Sequence, residues 1–115
     1  MPEKGRIGED EAALFLTNLG MKIIRRNFRY RGGEIDIIAL DGDTVVFIEV
    51  KTWSVYGIEA LEQGLDTKKQ YRIIETAKYF LSSHREYRYM AVRFDVVFIA
   101  PKGITHLVSA FMERV

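Results

Sequence analysis

The chain has 115 residues, of which 48% are hydrophobic and 29% charged, and its formal net charge is +1. That length and composition suit one compact domain over residues 1–115, with a modest core and no room for a second. The absence of cysteine excludes disulfide frameworks, thiolate metal sites and cysteine nucleophiles, and the near-neutral charge gives no global pull towards nucleic acid, so any such pull must come from local clustering.

The opening Met-Pro-Glu-Lys-Gly-Arg runs into a charged helix without the apolar core of a signal peptide. No later apolar run approaches the roughly 20 residues that span a bilayer, so a soluble, cytoplasmic protein without membrane contact is expected. From Gly8 to Leu19 the residues Ala12, Ala13, Leu14, Phe15, Leu16 and Leu19 recur at helical spacing, and Gly20 is placed to end the helix. Met21 to Ile24 and Asn27 to Tyr30 read as short extended pieces. Across them Lys22, Arg25, Arg26, Arg29 and Arg31 interleave with Phe28 and Tyr30, forming the one dense basic patch.

Glu34 to Leu40 and Thr44 to Thr52 read as two strands joined around Asp41-Gly42, a strong hairpin signal because glycine tolerates the positive φ of tight turns. Tyr56 to Asp66 is polar, contains Gly57 and Gly64, and reads as a mobile loop. Thr67 with Gln70 three residues later has the capping-box pattern, and Ile73, Ile74, Ala77, Phe80 and Leu81 keep helical spacing to about Ser83. Val92 to Ala100 is a strand, Pro101-Lys102-Gly103 a turn, and Ile104 to Val108 a last short strand.

Within the hairpin the acids Glu34, Asp36 and Glu49 and the cation Lys51 lie in segments rich in Val, Ile and Phe, where an unpaired charge is costly. Alternation along a strand sets Glu34 and Asp36 on one face, and Glu49 and Lys51 likewise. The two pairs share a face only if paired residue numbers sum to an odd value. A four-residue loop from Asp41 to Thr44 places Asp36 opposite Glu49 and Glu34 opposite Lys51, and a two-residue loop makes Asp36 diagonal to Glu49. An even loop, or a bulge near Gly42, is therefore expected.

Two converging carboxylates are hard oxygen ligands suited to Mg²⁺ or Mn²⁺, with the Val50 carbonyl and waters able to complete the shell. Lys51 could orient or help deprotonate an attacking water and offset charge on a phosphate. Together these parts suit hydrolysis of a phosphodiester.

Asp36 followed by Glu49-Val50-Lys51 resembles the PD-(D/E)xK nuclease superfamily. More widely, Gly8-Glu9 with Ala12, Gly33-Glu34-Ile35-Asp36, Phe47-Ile48-Glu49-Val50-Lys51, Lys69-Gln70, Ala77, Arg93-Phe94-Asp95-Val96-Val97 and Ala110-Phe111 resemble the small bacterial family UPF0102, also called YraN. The likeness covers nearly the whole chain. It implies an α/β, restriction-endonuclease-like core, a mixed central β-sheet flanked by helices in the order α-β-β-β-α-β, and a DNA substrate of the kind met by Holliday-junction resolvases. It assigns Asp36 and Glu49 to metal and Lys51 to catalysis, and it matches Glu9 to a further acid on the first helix. Glu9 precedes Leu16 by seven residues, which puts it on the helix face turned to the sheet. Ile35 stands where the superfamily label has proline, and Trp53 where the family usually has a basic residue, offering stacking in place of a phosphate contact.

Plainer roles compete with these. Glu34 could salt-bridge Lys51 or an arginine, an acid in a first helical turn is favoured by the helix dipole whatever Glu9 does, and Gln70 has the N3 capping position. Lys69 and Gln70 could also serve the site from helix two. Beside a nuclease-like site, Arg25, Arg26, Arg29 and Arg31 become candidate phosphate contacts. His84 and His106 lack metal-ligand spacing and are read as structural, as is Asp95, paired with Arg93 or capping a neighbour. The leading expectation is a Mg²⁺- or Mn²⁺-dependent endonuclease acting on branched DNA. A symmetric dimer, with Ala110-Phe111-Met112 ahead of Val115 at its interface, would bring two active sites to two strands. The rival is a non-catalytic nucleic-acid-binding or assembly module that keeps the nuclease fold.

Overall fold

The computed structural model describes residues 2–52 and 66–112. The loop expected from Tyr56, along with Trp53 and Val115, lies outside the described residues. A first helix α1 (Pro2–Asn18) leads into β1 (Lys22–Tyr30), β2 (Gly33–Asp41) and β3 (Thr44–Thr52). Helix α2 (Thr67–Ser83) and a 3₁₀ turn at Arg85–Tyr87 then precede β4 (Ala91–Ala100) and β5 (Gly103–Phe111). This is the α/β architecture expected, with a final strand longer than Ile104 to Val108. Among the described residues no helix is long and apolar enough to cross a membrane.

The five strands form one mixed sheet in the order β1-β2-β3-β4-β5. β1, β2 and β3 form an antiparallel meander, β3 and β4 run parallel, and β4 and β5 are antiparallel. One face is sealed by α1, where Ala12 and Leu16 pack on Ile37, Ala39, Val46, Ile48, Val97 and Ile99. The other is sealed by α2, whose Ile73, Ile74, Ala77 and Phe80 pack on Phe28, Ile35, Ile38, Val45, Phe47 and Phe94. Strands covered on both faces explain why β3 reads as an almost unbroken apolar run. Only part of the apolar set expected on the first helix is used, for Leu14 on α1 and Leu19 just past its end remain exposed.

α1 ends as Gly20 predicts. With φ of 97°, Gly20 lets its own N–H donate to the Thr17 carbonyl and the Met21 N–H donate to the Leu16 carbonyl, a Schellman motif. The cap of α2 corrects the sequence reading. Asp66, not Thr67, is the N-cap, its carboxylate accepting the Lys69 N–H at 2.9 Å, because a short carboxylate one residue upstream reaches that donor. Gln70 accordingly leaves the N3 position. A second correction joins the two short pieces around Arg25 into one strand, β1, with a register shift between Ile23 and Arg25.

The turns position the site. β1 and β2 are linked by Arg31-Gly32, both at positive φ (44° and 81°), a two-residue primed turn matched to the strand twist. β2 and β3 pair with Asp41 opposite Thr44 and Ile37 opposite Ile48, so the turn is centred on Gly42-Asp43, one residue later than expected. This even loop keeps the odd-sum register that the acids require. Gly33 packs against α2 so closely that a Cβ there would collide with Thr76 Oγ1 and lie 2.9 Å from the Arg72 carbonyl.

Candidate active site

The β2–β3 ladder stops at the Ile37–Ile48 pair, short of Asp36 and Glu49. Where it opens, Asp36 Oδ2 takes the place of a ladder acceptor, receiving the Val50 N–H at 2.8 Å. Ile35 and Ile38 both pack under α2 while Ile37 packs under α1, so strand alternation breaks around Asp36. Opposite this break on β1, Asn27 has φ of 54° and switches faces too, with Arg26 reaching α1 and Phe28 packing under α2. The local kink turns Asp36 towards β3.

Asp36 and Glu49 therefore line one cleft, together with Gly32, Gly33, Glu34, Lys69, Arg72 and Ile73. Its volume is about 240 Å³, below the range of pockets for drug-sized ligands. Glu49, only 7% exposed, presents Oε1 to Lys69 Nζ at 2.8 Å and to Lys51 Nζ at 3.4 Å. Asp36, by contrast, makes no ion pair among the described residues.

The electrostatics follow. Burial and then the facing Glu49 push Asp36 up to about 7, against the Val50 N–H that pulls it down, and Glu9 and Glu34 add to the rise. Lys51 is pushed below the ordinary lysine value by burial and by the neighbouring Lys69, with Glu49 opposing. Burial is the largest influence on Lys69 and lowers it, but the hydrogen bonds to Glu49 and Lys51 and the charges of Glu49 and Asp36 together raise it. Of the two lysines, Lys51 is the one readied to give up its proton.

The remaining candidates are distributed as follows. Glu9, on α1, contributes to the field at Asp36 and lies 3.6 Å from Arg26 Nη2, which also binds Asp10 at 2.7 Å. Glu34 pairs across the β1–β2 ladder with Arg29 at 3.2 Å rather than with Lys51, because the β2–β3 ladder never reaches that position. Val50 sits between Glu49 and Lys51 with its N–H committed to Asp36. Gln70 lines a different groove with Tyr71, Ile74 and Met112. Arg25 lies over Phe28 at 5.2 Å and Arg31 over Tyr30 at 5.3 Å, so of the four candidate arginines Arg26 and Arg29 are tied to carboxylates and the other two to rings. Arg72 was missed by the sequence reading. Its signal was the spacing of three from Lys69, which puts both on one helix face.

Asp95 and His106 take the structural roles expected. Arg93 grips Asp95 through Nε and Nη2 at 2.9 and 3.0 Å, His106 Nε2 lies 2.7 Å from Asp95 Oδ2, and the Ser109 N–H donates to Oδ1 at 2.9 Å. Arg93 also reaches Asp41 at 3.0 Å, so it is spent away from the cleft. His84 stacks on Phe80.

Among the described residues no three His, Asp or Glu side chains converge as a ready cage for a metal. What is present is a two-carboxylate site, Asp36 and Glu49, with the Val50 backbone between its strands and Glu9 close enough to influence it. A family model described as "Uncharacterised protein family UPF0102" matches residues 8–99. A UPF0102 protein of Persephonella marina is 44% identical over 108 residues, covering 94% of this chain and 92% of that one. One from Treponema pallidum is 45% identical over 118 residues, covering 96% and 94%. One from Syntrophus aciditrophicus is 46% identical over 100 residues, covering 85% and 76%.

Proposed function

This chain belongs to the uncharacterised protein family UPF0102, and from that premise and the geometry of the cleft we propose that it is a metal-dependent endonuclease hydrolysing DNA phosphodiesters. One observation carries the reading. Asp36, mostly buried and without an ion pair among the described residues, shares a small polar cleft with Glu49 and Lys69, Glu49 being held in turn by Lys51, and is pushed up to about 7.

A structural carboxylate would normally be matched by a cation, as Asp95 is by Arg93. Asp36 instead meets other acids, an arrangement that a divalent ion would relieve. The donor set fits: Asp36, Glu49 and the Val50 carbonyl are hard oxygen ligands that would hold Mg²⁺ or Mn²⁺, with Glu9 as a further acid from α1. When bound, such an ion supplies Lewis-acid polarisation of the phosphodiester and acidifies the attacking water. Lys51 is placed to accept a proton from that water, and Lys69, which keeps its proton, offsets negative charge gathering on the phosphate. In the overall reaction the water oxygen joins phosphorus, one P–O bond of the backbone breaks, and the leaving oxygen takes up a proton. On this reading branched DNA is the substrate class, and because the described residues of one chain form one such cleft, two copies act together where two strands are cut.

A second reading rests on Glu49. Both lysines already neutralise it, which also suits a nucleic-acid-binding or assembly module that keeps the fold without the chemistry. Incubating the protein with four-way junction, flap, single-stranded and duplex DNA in Mg²⁺ or Mn²⁺, beside Glu49→Ala and Lys51→Ala, separates the two. Cleavage by the wild type that both variants lose supports the nuclease. Salt-sensitive binding without cleavage supports the module.

A further inference from the structure

The acid cleft continues beyond Glu49. Arg72 lines it and also lines a neighbouring cavity with Tyr30, Arg31, Gly33 and Tyr71, on the far side of the β1–β2 turn. A third hollow, over Arg31, Gly32 and Gly33, joins the two across the turn. A continuous track thus runs from Asp36 and Glu49, past Arg72, to Arg31 and Tyr71.

Two cations on this track, Arg31 and Arg72, are available to a ligand, whereas Lys69 is held by Glu49 and Arg29 by Glu34. Neither Arg31 nor Arg72 has a carboxylate partner among the described residues, whereas Arg26 and Arg29 both do. Arg31 is held instead by Tyr30, over whose ring it sits at 5.3 Å. Tyr30 also stacks on Tyr79 with centroids 3.9 Å apart, so its ring is already engaged by protein groups. Glu75, the one acid lining the neighbouring cavity, is paired with Lys78 at 3.5 Å. Lys69 and Arg72 are one helical turn apart, about 5–6 Å between Cβ atoms, a step comparable with that between successive phosphates. Tyr71 is 64% exposed and has an open ring.

We propose that a single-stranded stretch of nucleic acid leaves the cleft over the β1–β2 turn, with a backbone phosphate held between Arg31 and Arg72 and the adjoining base stacked on Tyr71. The proposal rests on the nuclease reading of the cleft and extends it to residues that reading does not use. A phosphate subsite beside an aromatic platform demands a base that is already unstacked, which the interior of a duplex does not offer. The track therefore selects substrates with an unpaired segment next to the scissile bond.

The test is fluorescence anisotropy with a labelled 20-nucleotide oligothymidine and a blunt 20-base-pair duplex, without divalent metal, over a series of KCl concentrations. Arg72→Gln and Arg31→Gln should each weaken oligothymidine binding about three- to tenfold and make the slope of log affinity against log salt shallower by about 0.7. Tyr71→Ala should weaken it about tenfold with the slope unchanged, and Tyr71→Phe should restore it. The duplex should respond less to Tyr71→Ala. Thermal melting of each variant should match the wild type, because all three side chains are exposed.

Unchanged affinity and slope in Arg72→Gln and Tyr71→Ala, with the wild type binding, overturns the subsite and leaves the nuclease reading standing. Failure of the wild type to bind oligothymidine overturns it too. If the variants behave as expected but junction and flap DNA are never cut in Mg²⁺, the subsite stands and the nuclease reading falls.

Discussion

The Asp36 carboxylate accepts the Val50 N–H at 2.8 Å, just beyond the last β2–β3 ladder pair. One hydrogen bond thereby replaces a backbone link and pins the acid beside Glu49. Its pull on the Asp36 pKa is overcome by burial and by Glu49.

Because the folded value of about 7 lies above the unfolded carboxylate value, the folded chain keeps a proton that the unfolded chain has released between about pH 4 and 7. The metal-free protein should therefore lose stability as pH rises through 7, by on the order of a few kcal/mol. Asp36→Asn should flatten this dependence. Urea midpoints measured in chelator from pH 4 to 8 give the comparison, and parallel curves for the two proteins would contradict it.

A divalent ion should reverse that loss. At pH 8, saturating Mn²⁺ at a hundredfold excess over its dissociation constant should add about 2.7 kcal/mol, visible as a rise of several degrees in Tm. Asp36→Asn and Glu49→Gln should show no rise, and affinity in the wild type should climb with pH through 7 as Asp36 releases its proton. Calorimetry with chelator-treated protein measures both.

Glu49→Gln and Lys51→Ala should each lower cleavage about 10²- to 10³-fold while leaving oligonucleotide binding within a few-fold. Lys51→Arg separates two roles for the lysine. Activity kept in the arginine variant means that charge is what matters, and activity lost means proton transfer, since arginine stays protonated. Single-turnover kinetics on a labelled flap substrate provide the readout.

Asp95 bends the pH curve the other way. Burial would raise its pKa, but hydrogen bonds from Arg93, the Ser109 N–H and His106 hold it below the usual carboxylate range. Its contribution is thus present above about pH 4 and lost as pH falls further. Asp95→Ala strips the Ser109 N–H and His106 of their partner while Arg93 keeps Asp41, and should cost about 1–3 kcal/mol at neutral pH, measured by urea unfolding.

Gly33→Ala should destabilise by about 1–3 kcal/mol, because the added methyl meets Thr76 Oγ1 and the Arg72 carbonyl. The helix displaced is the one carrying Lys69 and Arg72. Cleavage in this variant should fall more than its loss of stability explains, as judged by activity at a temperature where circular dichroism shows full folding.

The parts legible in the sequence were those written in local patterns. The apolar period marked both helices, Gly20 marked a helix end, and the odd-sum register set β2 and β3 in the pairing that leaves Asp36 near Glu49, although the alternation behind that expectation breaks at Asp36 itself. The capping residue escaped because Thr67 and Asp66 are both good caps and only the geometry chooses between them. The kink at Asn27 and Asp36 escaped because it is a cooperative distortion of two paired strands, with no marker in either alone. The Arg93–Asp95 pair, two residues apart on one strand, was legible, whereas the partners of Glu34 and Arg26 were open because each depends on which strand or helix comes to lie next to β1.

β3 has a close neighbour in sequence on one edge, β2, and a remote one on the other, β4, where Glu49 lies beside Val96. A nascent β2–β3 hairpin brings Asp36 and Glu49 near each other while both are still hydrated and ionised. Burial, the largest cause of the raised Asp36 pKa, is complete only once α2 covers the hairpin and β4 pairs with β3, so proton capture is expected to follow those long-range contacts. Refolding at pH 6 in a dilute indicator dye should accordingly show proton uptake as a late phase, a chemical timestamp for the moment at which the two acids cease to be independent groups.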